Sequence, residues 1–188
     1  MKHILLLLAI VFSVYIQAQT EELPYYEVPE YSENFTAGTV AARMVDGLGF
    51  RFYWATEGLS EIDLKYKPND DVRSTEETID HILDLSYIIV NSTLKQTNGK
   101  VDHSKMSYAK KRAQALINLK TAADILRDSD DISQFKIRFG EREFPFWNQI
   151  NGPIADAIWH CGQLASFRRT SGNPINSNIS HFTGTVKQ

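Results

Sequence analysis

The stretch NGPIADAIWHCGQLASFRRTSGNP, residues 151–174, decides how the rest of the chain is read. Asn151-Gly152-Pro153 is a helix start, because a first turn does not use the N–H that proline lacks. The helix runs from Pro153 to about Thr170, with Arg168 and Arg169 near its negative end, and Ser171-Gly172-Asn173-Pro174 stops it. Asp156, His160, Gln163 and Phe167 recur at i, i+4, i+7 and i+11, which aligns them along one stripe. An Asp and a His four residues apart can grip one ion from a single helix, in the manner of HExxH sites.

Working outward, three more helical segments appear. Asn34 to Leu59 repeats Val40, Met44, Leu48, Phe52 and Ala55 at three- and four-residue spacing. Gly47 and Gly49 each cost about 1 kcal/mol relative to alanine in a helix, which suits a close approach by another helix. STEETIDHILDL (74–85) starts the second helix, with Ser74 as N-cap and Glu77 completing a capping box. Its apolar set is Ile79, Ile82, Leu83, Leu85, Ile88 and Ile89, and QTNGK (96–100) ends it in a turn, with Asn98-Gly99 suited to positive φ. The third spans Ser104 to Asp128 with Ala109, Ala113, Leu116, Leu119, Ala123 and Leu126 inward. DSDDISQFKIRFGEREFPFW (128–147) is irregular, and its apolar residues fit a short hairpin or a hydrophobic plug. Four long helices without a strand set predict an all-α bundle.

The ends read differently. MKHILLLLAIVFSVYIQA (1–18) has a basic start, an apolar run and a small final residue, which is the pattern of a secretory signal peptide. Cleavage is expected after Ala18, giving an exported protein, periplasmic or secreted, with no membrane span after cleavage. The 170 residues that remain are enough for one domain with a core. They carry 19 basic and 23 acidic side chains, a balance that does not favour nucleic acid. AKKRAQ (109–114), the densest basic run, reads as a solvated helix face. Residues 19–33 form an extended arm, 34–174 the helical domain, and 175–188 a polar tail. The single cysteine, Cys161, excludes an internal disulfide and reads as a small buried hydrophobe.

The chemistry rests on the third partner. His81, in the second helix, supplies the group that Asp156 and His160 lack for a three-ligand set. Imidazole and carboxylate suit zinc, iron(II) or nickel(II), and three protein ligands leave positions open. The rival reading is that Asp156 hydrogen-bonds its neighbour, is favoured in the first turn by the helix dipole, and binds no ion. Spacing leaves both open. Gln163 is a structural hydrogen-bonding group or a contact to a solvent ligand of the metal. Arg51, Tyr53, Trp54 and Glu57 belong to the core or line a pocket by the site. His103, in a turn, and His181, in the tail, are expected to be solvated.

At GLGFRFYWATEGLSEIDLKYKP (47–68), TIDHILDL (78–85) and ADAIWHCGQLASFRRTSGNP (155–174) the chain resembles the DinB/YfiT-like superfamily, from about Phe35 to Pro174. The resemblance implies a DinB-like four-helix bundle holding a divalent metal through three histidines. His81 matches the first ligand and His160 the last, ahead of Gly162-Gln163. Asp156 stands where the family has histidine. The replacement is an oxygen ligand for a nitrogen one, or the mark of an emptied site.

Two functions follow. The first is a metal-dependent enzyme acting on a small-molecule substrate. The family's thiol-dependent transferases are disfavoured by export, since low-molecular-weight thiol cofactors are cytosolic, so hydrolysis is expected. His81, Asp156 and His160 would hold the metal and Glu57 would accept a proton. The second is a non-catalytic module: a small-ligand-binding or structural bundle, a homodimer included, with a degenerate site. In that case Gln163 or Asp80 could close the metal as a fourth ligand.

Overall fold

In the computed structural model, which describes residues 22–187, the chain is all-α in class. The leader expected over 1–18 lies outside the described residues. The helices are α1 (Ala37–Thr56), α2 (Glu61–Lys65), α3 (Thr75–Thr93), α4 (Tyr108–Arg127), α5 (Phe146–Gln149) and α6 (Ala155–Ser171). Each of the first four begins where a hydroxyl satisfies an otherwise orphaned backbone N–H. Thr36 and Thr39 cap α1 reciprocally, Ser60 and Asp63 cap α2, Ser74 and Glu77 cap α3, and Ser107 caps α4. The capping box read at Ser74 and Glu77 is present, with Glu77 accepting from the Ser74 N–H at 2.7 Å.

The four long helices surround one core containing Leu48, Phe52, Ile79, Ile82, Leu83, Leu116, Leu119, Ile154 and Leu164. Cross-helix bonds fix their directions. Arg112 donates to Thr56 and Arg127 to Asp46, so α1 and α4 are antiparallel. Lys111 reaches Glu76 and Asp80 while Asn118 donates to Ser86, so α3 and α4 are parallel. The connection over 94–107 therefore returns along the length of the molecule. Gly38 lets α1 and α4 close: a Cβ there would lie 1.9 Å from the Ser129 carbonyl oxygen.

Several sequence expectations are corrected by this packing. Val40 and Ala109 face solvent, and the inner face of α1 is Ala41, Ala42, Val45, Leu48 and Phe52. AKKRAQ is not a solvated face, because Lys111 and Arg112 are buried. Lys111 sits between the carboxylates of Glu76 and Asp80, and Arg112 pairs with Glu57. The close approach at Gly49 comes from the Tyr25 ring of the arm and not from a helix. In the turn after α3 the positive φ falls on Lys95, while Asn98 is buried and bonded to the Arg138 carbonyl.

The irregular passage supplies both structures that its composition allowed. β1 (Ile137–Phe139) and β2 (Arg142–Phe144) form a hairpin turned by Gly140, and Phe135, Ile137 and Phe146 plug the core. The arm is anchored by Tyr25, whose hydroxyl donates to Asp46, and by the Tyr26 carbonyl, which accepts from the Trp54 indole. The tail folds into a second hairpin, β3 (Ile179–Ser180) with β4 (Thr185–Val186), and the Val28 N–H donates to the Gly184 carbonyl. Among the described residues no helix is long and apolar enough to cross a membrane.

The last helix departs most from expectation. It does not start at Pro153. Helical backbone enters from α5, passes through a π turn at Ile150–Ile154, and continues as α6 without a side-chain cap. Proline interrupts an α-helix by removing an N–H and crowding the carbonyl four residues back. The wider π turn accommodates both effects, so the helix runs on. Asp156 therefore does not sit at a free helix N-terminus, and the dipole argument for its placement falls away.

Candidate metal centre

The site lies between α3 and α6. His81 meets Asp156, and one to two turns away Gln149 donates to the Ile88 carbonyl, so the helices run antiparallel. Ile82 and Leu83 bury one side of α3, and Ala157, Cys161 and Leu164 bury one side of α6. His81, Asp156 and His160 are left along the seam between the two buried faces.

All three predicted ligands come together, with one ligand atom from each lying within 4.8 Å of the others. His81 Nε2 is 3.1 Å from Asp156 Oδ2, and His160 Nε2 is 3.4 Å from Asp156 Oδ1. Donors about 2.1 Å from a common ion stand about 3.0–3.4 Å apart in octahedral or tetrahedral geometry. The carboxylate thus presents one oxygen to each imidazole, at separations that one ion could span. The two rings meet edge to face with centroids 4.6 Å apart, so they can aim at one point without stacking. The side chains of His81, Asp156 and His160 are 28%, 43% and 12% exposed, which leaves the cluster open to solvent on one side. Two nitrogens and an oxygen are a donor set that fits zinc, iron(II) or nickel(II).

Other residues singled out in the sequence have different places. Gln163 turns its Oε1 to His160 Nδ1 at 2.6 Å, so it is a partner of a ligand and not a fourth one. Asp80 is held by Lys111 at 2.8 Å. Glu57 is not brought to the cluster. Its carboxylate pairs with Arg112, and its carbonyl accepts from Arg168, two turns or about 12 Å along α6 from His160. The proton-accepting role expected of Glu57 therefore has no geometric support. Tyr53 and Trp54 pack with Tyr26 of the arm and serve its anchorage. Arg51 lines a 130 Å³ cavity with Cys161, Gly162 and His181. Burial pushes the Cys161 thiol up to about 12, as for an inert core cysteine. His181 stays exposed. His103 does not, since its ring is wedged against α3 with Nε2 3.0 Å from Asp84.

The Gln163–His160 contact is the part of the site left undefined by the sequence reading. Its signal was the i, i+3 spacing, which places the two side chains side by side on a helix. No family model matches this chain, and neither does any curated protein or solved structure.

Proposed function

We propose that this chain is an exported, metal-dependent hydrolase built on a DinB-like four-helix bundle, with His81, Asp156 and His160 as ligands of one zinc, iron or nickel ion. The observation that carries the reading is the position of Asp156. Its two oxygens are divided between imidazole nitrogens from two different helices, yet the group remains partly open to solvent. A carboxylate placed only for stability would be closed by donors, as others in this protein are. The apolar, basic-started leader over 1–18 supports export. The long-helix core, the directions of its helices and the resemblance at His81 and His160 support the bundle.

When bound, a divalent ion would supply Lewis acidity to polarise a substrate carbonyl or phosphoryl group. The chain's own residues divide the remaining work. His81 and Asp156 bring α3 and α6 to a common point, and the buried faces beneath them hold that point rigid. Asp80 and Gln163 are already engaged by Lys111 and His160, so neither closes the coordination sphere. The open side is where a small-molecule substrate enters.

A second reading is favoured by one distance. At 3.1 Å, His81 and Asp156 are also within direct hydrogen-bonding range and need no ion between them. On that reading the protein is a non-catalytic ligand-binding or structural bundle. The experiment is to purify the mature chain without an affinity tag and measure bound metals by elemental analysis, with Asp156→Ala and His160→Ala alongside. One equivalent of zinc, iron or nickel, lost in both variants, is the expected result. A panel of chromogenic esters, amides and phosphoesters then tests hydrolysis. No metal in the wild type, even after supplementation, would leave only the second reading standing.

A further inference from the structure

The contact between His160 and Gln163 bears on which of those readings holds. At 2.6 Å, His160 Nδ1 faces Oε1 of the Gln163 amide. A carbonyl oxygen accepts and cannot donate, so the proton in this bond belongs to Nδ1. A neutral imidazole carries a single N–H. His160 Nε2 then bears a lone pair, and it points at Asp156 Oδ1, 3.4 Å away, which is an acceptor as well. The simple alternative, Asp156 hydrogen-bonding a neutral His160, needs the proton on Nε2, the nitrogen from which Gln163 withholds it. In the neutral ring two acceptors then face each other and repel, unless a metal ion lies between them or a second proton is taken up on Nε2.

We infer that Gln163 is a positioning residue. Its amide oxygen fixes His160 as the Nδ1–H tautomer and thereby turns the Nε2 lone pair into the cluster as a ready-made ligand. The effect on metal affinity rests on the metal-site reading above, whereas the tautomer does not. Partners of this kind orient ligating histidines, and their loss costs about 10- to 100-fold in metal affinity. Gln163 is partly exposed, so its replacement removes the bond without emptying the core.

The test uses the metal-free mature chain with ¹⁵N-labelled histidine, and Gln163→Met and Gln163→Glu beside the wild type. Long-range ¹H–¹⁵N spectra at about pH 9, above the ordinary imidazole range, report which ring nitrogen carries the proton. The wild type and Gln163→Glu should show His160 protonated on Nδ1. In Gln163→Met the proton should move to Nε2. Zinc titration should then give a dissociation constant about 10- to 100-fold weaker for Gln163→Met and within a few-fold of wild type for Gln163→Glu, with unchanged helical content in all three. His160 protonated on Nε2 in the wild type would overturn the inference. So would zinc binding by Gln163→Met equal to that of the wild type. If the wild type shows the Nδ1–H tautomer but takes up no zinc, the tautomer assignment stands and the metal reading fails.

Discussion

Two polar clusters sit on the same helix, two turns apart, and they are built in opposite ways. Around Arg168 every group is closed. Its guanidinium donates to the carbonyls of Trp54, Ala55, Glu57 and Asn173, fastening the end of α1 to α6. Beside it, Asp63 accepts from the Ser60 backbone and from the Ser60, Ser171 and Asn173 side chains. Burial opposes ionisation of Asp63, but these donors outweigh it and hold the carboxyl at about 2. The His81–Asp156–His160 cluster is half open to solvent, and its carboxylate has only the two imidazoles for partners. A cluster made for stability exhausts its hydrogen-bonding capacity within the protein, whereas a cluster made to receive something leaves part of it unspent.

The sharpest way to break that contrast is Arg168→Ala. It strands several buried carbonyls and should destabilise the fold by about 3 kcal/mol or more, roughly a 6–12 °C fall in Tm. Metal content per folded molecule should not change, and a variant that kept its Tm would deny the closed cluster its structural role. Asp156→Ala should do the reverse. Zinc affinity should fall more than about 100-fold, beyond the usual loss for a supporting residue, while the metal-free protein melts within about 0.5 kcal/mol of wild type. A large loss of stability without metal would make Asp156 a structural group.

Asp63→Asn gives a smaller, pH-dependent effect. A carboxyl held below its unfolded value stabilises the fold above the ordinary range near 3.8, and that contribution disappears as pH falls through about 2. The variant should be less stable by about 1–2 kcal/mol at neutral pH, and the gap in Tm should narrow steadily from about pH 4 downwards. A constant gap would contradict the assignment. The smallest effect is expected at Cys161. Its buried thiol should not react with a disulfide reagent in the native state and should react fully once the chain is unfolded, so native labelling would deny the core its tightness there.

The same contrast explains what was legible in the sequence. Ser74 and Glu77 announce the start of α3 because a capping box is local, and Ile79, Ile82 and Leu83 announce its buried face because burial follows helical period. His81, Asp156 and His160 were legible as a donor set, since two of them share a helix face and the third is the natural complement. Lys111 and Arg112 read as exposed because charge alone marks them so; the carboxylates of Glu76, Asp80 and Glu57, with the Thr56 hydroxyl and Tyr53 carbonyl for Arg112, all supplied by other segments, make their burial tolerable. His103 reads as solvated because it sits in a turn, and its carboxylate partner Asp84 lies on another segment. The anchoring role of Tyr25 and the burial of Arg168 have no local sign, as the Tyr25 partner Asp46 lies in α1 and three of the Arg168 acceptors lie at the end of α1. Pro153 reads as a boundary because proline usually ends or begins a helix, and a π turn leaves no pattern in one sequence.

That π turn is also a place where the chain's length and the aim of its side chains are linked. A turn of this kind holds one residue more than an α turn, so it is the natural scar of a one-residue insertion. Deleting Asn151 would press the Pro153 ring against an ordinary α ladder and rotate what lies on one side of it by about 100° relative to the other. With α6 pinned by Arg168, the strain would fall on α5 and pull Phe146 from the core. If the core held instead, Asp156 would swing away from His81. Insertions and deletions are tolerated in most surface loops, but here a single residue of length sets whether two helices can point at the same spot.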